Sequence, residues 1–288
     1  MTNSRIFAVA VASAVTALSF AAPASAVVTT FASFNAASAG NVVWVNNGTG
    51  GNTTTYRNNG TGGTIFTTNS SQSVRPSSSV PGGVAVTFSF LNGLSDLINN
   101  LPAIFTLSAT AVNSPTQTAS GFKFQSNIAG TFSFISDAPV TIEGTTYAVG
   151  SNLLSGSFNL GTIAGQSGAT SGALSSSVEG SGADIVYTSD FVSFANTTNR
   201  DLSLSLTSIV SLVNSVNRGL NNTSTTGVGP NALRSFRATA TGSFSSDPSP
   251  GVTVLAAVPE PQSWAMFVVG FGLVGFGYRR RQRAAAAA

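Results

Sequence analysis

The sequence predicts an all-β, β-sandwich-like body with short loops, flanked by an N-terminal signal helix and a C-terminal single transmembrane helix. The first observation is compositional. Charged residues are only 7% of the 288 residues, and Ser, Thr, Asn and 30 Gly supply the polarity instead. Such residues are poor helix formers. The second observation is that apolar and polar residues alternate at period two in several short runs, which is typical of half-buried strands.

The strand candidates follow one another along the body and are separated by turn-rich stretches. Val84–Phe90 shows the clearest alternation, because every second residue from Val84 to Phe90 is Val or Phe. Further strands are expected at Phe122–Phe124, Phe132–Phe134, Leu202–Leu206 and Phe236–Thr241, with loops at Pro76–Gly83, Asn113–Pro115, Gly165–Gly172 and Asn221–Pro230.

Two stretches have helical rather than strand spacing. Leu94–Leu101 could form one or two helical turns that end at Pro102. Ile209–Val216 follows a strand pattern directly and carries apolar residues three and four positions apart, which indicates a strand-to-helix switch.

One short repeat is visible near the beginning of the body. Asn46–Gly51 recurs as Asn58–Gly63, and each copy contains Asn-Gly, a strong hairpin turn signal. We interpret the segment as a three-stranded meander over Val42–Val45, Asn52–Arg57 and Thr64–Thr67. The alternative is a binding edge that presents Asn and Thr side chains.

The first 26 residues have the organisation of a secretory signal peptide. Arg5 is the positive residue, Ile6–Phe20 is apolar or small, and Ala24-Ser25-Ala26 fits the small-x-small cleavage rule. Cleavage is expected between Ala26 and Val27, and a membrane anchor that stays in place is the alternative.

The other end of the sequence has three parts in a fixed order. A Pro-Glu-Pro element is followed by 18 uncharged residues, Pro261–Tyr278, and then by an arginine cluster. Eighteen helical residues span about 27 Å, close to the thickness of the hydrocarbon core. Arginines that flank such a segment remain on the cytoplasmic side, which would place the body outside the cytoplasm.

This three-part tail resembles the PEP-CTERM sorting element, in the variant written PEPxxWA. The resemblance implies an exosortase that cuts near the Pro-Glu-Pro element, and it implies an association with exopolysaccharide. The same element is also labelled the C-terminal domain of ice-binding proteins, but the body has no regular ranks of Thr. A plain membrane anchor with a Pro-rich stalk is the alternative. The sorting residues are Val258, Pro259, Glu260, Pro261, Trp264, Ala265 and Met266, and the cytoplasmic anchor is Arg279, Arg280, Arg281 and Arg283.

These features divide the chain and set its location. We expect a signal peptide (1–26), an exported all-β domain (27–246), a linker (247–258), a sorting and transmembrane segment (259–283) and an alanine tail (284–288). The precursor would be anchored in the inner membrane, and the product would be at the cell surface or extracellular.

The charge distribution and the missing residue types narrow the function of the body. Between Val27 and Val258 lie seven basic and eight acidic residues, so the body is nearly neutral and has no electrostatic footprint for nucleic acid. The chain has no His and no Cys, which removes the commonest general base and thiolate chemistry. No metal or cofactor site is predicted, and we expect that the protein is not an enzyme.

Three functions for the body stay open. The first is a structural or adhesive surface protein in an exopolysaccharide layer. The second is a carbohydrate-binding module, which needs aromatic side chains for stacking. The third is a secreted glycoside hydrolase, for which Asp184 and Asp190, six residues apart in sequence, are the candidate pair of carboxylates. The candidate stacking residues are Trp44, Tyr56, Tyr147 and Tyr187.

Overall fold

The computed structural model describes residues 28–47, 62–69, 82–111, 117–119, 121–142, 144–179, 182–212, 219–220 and 233–253. In these ranges the regular structure is entirely β, which confirms the prediction of an all-β body. The predicted signal helix and transmembrane helix lie outside the described residues. The strands are β1 (Thr29–Ala36), β2 (Val42–Asn46), β3 (Gly63–Thr67), β4 (Val84–Phe90), β5 (Leu101–Ala111), β6 (Gln117–Ala119), β7 (Phe122–Ser136), β8 (Val140–Ile142), β9 (Thr145–Tyr147), β10 (Asn152–Gln166), β11 (Gly172–Ser177), β12 (Ile185–Thr188), β13 (Val192–Ser193), β14 (Asn199–Ser211), β15 (Phe236–Asp247) and β16 (Gly251–Val252).

Most of these strands belong to one antiparallel sheet that returns to its own starting point. From β15 the hydrogen bonding passes through β14, β11, β10 and β7 to β5, and then through β4 and β1 back to β15. β2 and β3 complete the wall next to β15 and β5, and β12 pairs with β10. Because the sheet closes, its inner face is enclosed by backbone hydrogen bonds on all sides.

Phenylalanine rings fill the interior. The ring centroids of Phe132 on β7 and Phe244 on β15 lie 5.0 Å apart, although these two strands are not hydrogen-bonded neighbours. Phe34 on β1 lies 4.8 Å from Phe134 on β7. Opposite walls of the sheet therefore touch through their side chains, as the two layers of a sandwich do, while a single continuous sheet supplies both layers.

The predicted alternation matches the structure in most strands. Val84–Phe90 is β4 with the predicted bounds, and its Val and Phe side chains are buried. Leu202–Leu206 lies in β14, Phe236–Thr241 in β15 and Phe132–Phe134 in β7, each with its apolar residues buried.

Phe122 and Phe124 are the exception, because they are in a strand but point outward. Phe122 is 46% exposed, while Gln125 between the two Phe pairs is fully buried. The cause is a β-bulge: four residues of β7, Gln125 to Ile128, lie opposite three residues of β10, Gly161 to Ile163, and Asn127 has a φ of 58°. An extra residue exchanges the two faces of a strand, so Phe132 and Phe134 point inward and the earlier pair outward.

The predicted helical turns at Leu94–Leu101 are wrong. Residues 91–100 form a series of turns, and Leu101 and Pro102 already belong to β5. Leu94 and Ile98 are buried against the core, which explains their apolar spacing. At the second helical stretch, β14 continues to Ser211, and residues 213–216 lie outside the described ranges.

The three-stranded meander is also wrong. β2 pairs directly with β3, with Val42 opposite Thr67 and Asn46 opposite Gly63. The second neighbour of β2 in the sheet is β15, and the second neighbour of β3 is β5. The predicted middle strand, Asn52–Arg57, therefore does not lie between β2 and β3. Both Asn-Gly turns lie outside the described residues. β2 is buried on both faces, because Val43 and Val45 pack with Phe66 on the outer side.

The ordered fold continues beyond 246 into the segment assigned to the linker. β15 extends to Asp247, and β16 pairs with β13. The backbone N–H of Thr253 donates to the carbonyl of Phe191 at 3.0 Å. The last described residue is therefore attached to the body.

Candidate functional site

The residues predicted for export and sorting all lie outside the described ranges. Ala24, Ala26 and Val27 precede residue 28, and Val258–Met266 and Arg279–Arg283 follow residue 253. The structure does locate the last described residue before the sorting segment. Thr253 is held beside Phe191, and the backbone N–H of Asp190 donates to the carbonyl of Asn152 at 3.0 Å. Thr253 therefore lies near the first residue of β10.

Asp184 and Asp190 do not form a catalytic pair. The backbone N–H of Asp184 donates to the side-chain oxygen of Asn159, whereas the carboxylate of Asp190 accepts from the backbone N–H of Asn152. Asn152 and Asn159 are seven residues apart on β10, or about 23 Å at 3.3 Å per residue. Glycosidases need their carboxyl groups about 5–10 Å apart. The described residues also contain no group of three or more Asp or Glu that could hold a metal ion.

Two of the predicted stacking residues are core residues, so that prediction is wrong for them. Trp44 is fully buried, and its indole Nε1–H donates to the carbonyl of Leu233 at 3.3 Å. Tyr187 is buried, and its hydroxyl donates to the carbonyl of Asp201 at 2.6 Å. Burial is the main reason that the pKa of Tyr187 is raised well above its ordinary value, and Asp201 adds to the effect.

The remaining two stacking candidates give no open aromatic face in the described structure. Tyr147 is half-buried, with its ring 4.7 Å from that of Phe191. Tyr56 lies outside the described residues. Among the described residues, an aromatic contact surface therefore has to come from side chains other than these candidates.

An exposed aromatic pair is formed by Phe122 and Phe124, whose alternation with Lys123 is typical of the buried face of a half-buried strand. Their ring centroids are 6.3 Å apart and their planes differ by 29°, so the two rings lie side by side along the outer face of β7. They form one wall of a groove of about 750 Å³. No signal in the sequence shows this, because both rings have the same alternation as the buried rings and only the bulge separates them.

Small and neutral side chains line the rest of this groove. Ala164 on β10 is opposite Phe124, Ala173 on β11 is opposite Ala164, and Ser205 on β14 is opposite Ala173. Gln166 is opposite Phe122. We call this site the Phe122–Phe124 groove; its lining residues are Phe122, Phe124, Ala164, Gly165, Gln166, Ala169, Ser171, Gly172, Ala173 and Ser205, none of which is charged.

Hydroxyl groups continue from the groove across the outer face of the sheet. Six Ser and Thr residues on six adjacent strands form one row, in which each residue is paired in register with the next. The row therefore gives this face of the sheet a line of neutral donors and acceptors. The row is Ser89, Ser33, Ser243, Ser203, Ser175 and Thr162, from β4 to β10.

A second groove, of about 380 Å³, lies beside Thr253 and is lined in part by Arg200. The three guanidinium nitrogens of Arg200 already donate within the fold, to the Thr197 hydroxyl and to the carbonyls of Ile185, Phe194 and Thr197. Arg200 therefore links the start of β12 to the turn that follows β13, and this arrangement is structural.

Comparison with known proteins gives one family match, to the tail. The model of the PEP-CTERM protein-sorting motif matches residues 257–281. No curated protein and no solved structure matches this chain. Within the described ranges, no helix has the length and apolarity needed to cross a bilayer. The match confirms the resemblance inferred from the Pro-Glu-Pro element and the arginine cluster. Residues 257–281 are a PEP-CTERM sorting motif, and the chain is an exosortase-targeted surface protein.

Proposed function

We propose that this chain is an exported, non-enzymatic component of an exopolysaccharide layer. Its apolar segment Pro261–Tyr278 holds the precursor in the membrane until the exosortase cuts near the Pro-Glu-Pro element. The observation that carries the proposal is the PEP-CTERM sorting motif at residues 257–281.

The chemistry of the tail supports membrane retention before cleavage. Pro259 and Pro261 disfavour a helical backbone at and before their positions, so the chain is extended where a protease needs access. The 18 uncharged residues that follow suit a bilayer span, and Arg279 to Arg283 anchor its cytoplasmic side. A protein held in this way presents its body outside the cytoplasm.

The surface of the body supports a role in contact with neutral polymer. Its outer strands carry rows of Ser and Thr, and Asp184 and Asp190 are bound to residues of β10, Asn159 and Asn152, that lie about 23 Å apart. Hydroxyl and amide groups exchange hydrogen bonds with sugars without the desolvation cost of a charge. This surface favours a structural or adhesive function over hydrolysis.

The test is to change the Pro-Glu-Pro element in the host and follow the protein by cell fractionation. Replacing Pro259, Glu260 and Pro261 by Ala, Gln and Ala removes the motif while leaving the apolar segment intact. Glu179→Gln is the matched control, because Glu179 is an exposed carboxylate on the body. We expect the triple variant to stay in the membrane fraction at full length, and the control to be processed like the wild type.

Two results would overturn the proposal. If the triple variant reaches the surface as efficiently as the wild type, the element does not direct processing. If the wild-type protein remains in the inner membrane at full length, the tail is a plain anchor.

A further inference from the structure

We propose that the Phe122–Phe124 groove binds a chain of uncharged sugar residues. The inference rests on the proposed function, because it names the contact through which the body would associate with exopolysaccharide. It concerns the body alone, so it can be tested separately from the sorting of the tail.

The two rings provide the apolar part of such a site. Phe122 is 46% exposed, and Phe124 is partly exposed beside it. Lys123 lies between them in sequence and points to the opposite face of the strand, so no charge interrupts the aromatic surface. Sugar rings have apolar C–H faces, and two neighbouring aromatic rings with similar orientation suit successive units of one chain.

The floor of the groove allows close approach of a flat ligand. Ala164 and Ala173 are registered partners across β10 and β11, and Gly165 and Gly172 lie next to them in the chain. No side chain larger than a methyl group rises from this part of the floor. A ring stacked on Phe124 can therefore continue over β10 and β11 without a steric barrier.

Neutral polar side chains border the floor of the groove. Gln166 is exposed next to Phe122, and Ser171 and Ser205 are exposed on the β11 and β14 sides. An apolar wall combined with a few oriented polar groups is the usual composition of a small-molecule site. None of the described lining residues is charged, so these residues offer no counter-charge to an acidic or basic polymer.

The groove is distant from the last described residue. Thr253 is bound to Phe191, beside Asn152 at the start of β10, and the groove lies at Gln166 at the end of the same strand. Asn152 and Gln166 are fourteen positions apart, or about 45 Å along the strand. The groove and Thr253 are therefore at opposite ends of β10.

The test uses the full chain in mild detergent, run in native gels that contain dextran, a soluble β-glucan or alginate. Retardation by a neutral polymer reports binding, and alginate tests for an acidic one. Phe122→Ala and Phe124→Ala should each weaken the binding about tenfold, whereas Phe122→Trp and Phe124→Trp should retain it. Val149→Ala is the matched control, since Val149 is 57% exposed at the opposite end of β10.

The outcomes separate the possible occupants. Retardation by a neutral glucan that is lost in the Ala variants and kept in the Trp variants supports the proposal. It is overturned if no neutral polymer retards the wild type, or if alginate is the only polymer that does. It is also overturned if sedimentation shows that the wild type self-associates and that loss of this self-association is the only effect of the Ala variants. If the wild type is cut and exported normally but binds no glycan, this inference fails while the proposed function stands.

Discussion

Replacing Phe134 by Ala tests the central packing of the closed sheet. The Phe134 ring is fully buried, and its centroid lies 4.6 Å from that of Phe105, 4.8 Å from Phe34 and 5.5 Å from Phe244. Removing the ring leaves a cavity between strands whose positions are fixed by their backbone hydrogen bonds. The surrounding residues can therefore move only a little to fill it. Burial and cavity terms for Phe→Ala total about 3–5 kcal/mol, and we expect about 4 kcal/mol here.

The measurement is the free energy of unfolding in urea, followed by circular dichroism. Phe122→Ala is the matched control, because it removes the same atoms from the same strand at an exposed position. We expect that control to cost less than about 1 kcal/mol. The reasoning is refuted if Phe134→Ala costs less than about 1.5 kcal/mol, or if the two variants cost the same.

Two further predictions concern buried polar groups. Because the pKa of Tyr187 is raised in the folded state, its phenol stays protonated there at a pH at which the unfolded state has already ionised. The contribution of Tyr187 to the free energy of unfolding is therefore complete below about pH 10 and is lost as the pH rises above that value. Tyr187→Phe removes the hydrogen bond to the carbonyl of Asp201 and should cost about 1 kcal/mol at pH 7. It should also make the fall in the free energy of unfolding above pH 10 shallower, as measured by urea titration at several pH values, and an unchanged fall would contradict this. Asn41 donates to the carbonyl of Ala240 and accepts from its N–H, both buried, so Asn41→Ala should cost about 3 kcal/mol. Exposed Asn99→Ala should cost less than about 0.5 kcal/mol, and equal losses in the two variants would count against the role of these bonds.

The strands could be predicted from sequence because alternation is a local property. Val84–Phe90 and Leu202–Leu206 each place apolar residues on one face, and that pattern alone is enough to identify a half-buried strand. The closure of the sheet could not be predicted in the same way. It depends on β15 pairing with β1 and β2, which are about 200 residues away in sequence.

The errors have identifiable physical causes. The bulge at Asn127 changes which face Phe122 and Phe124 occupy, and only one extra residue in the pairing produces it. Trp44 was a stacking candidate because aromatic residues often lie at binding surfaces, but β2 is buried on both faces. Leu94 and Ile98 have helical spacing, yet they enter the core from turns.

The sorting tail was predictable for a different reason. Its recognition depends on residue types in a fixed order along the chain, from Pro259 to Arg281, and requires no knowledge of tertiary contacts. The groove, by contrast, exists only once four strands are in register, and so it could be found only in the structure.

The most direct test of the account is to determine the last residue of the mature protein. The protein would be isolated from host cells with and without the exosortase, and its terminal peptide identified by mass spectrometry. The account predicts a terminus near Pro259 only in cells that have the exosortase, and an intact arginine cluster in cells that lack it. The presence of Arg279 to Arg283 on the surface protein in both strains would contradict it.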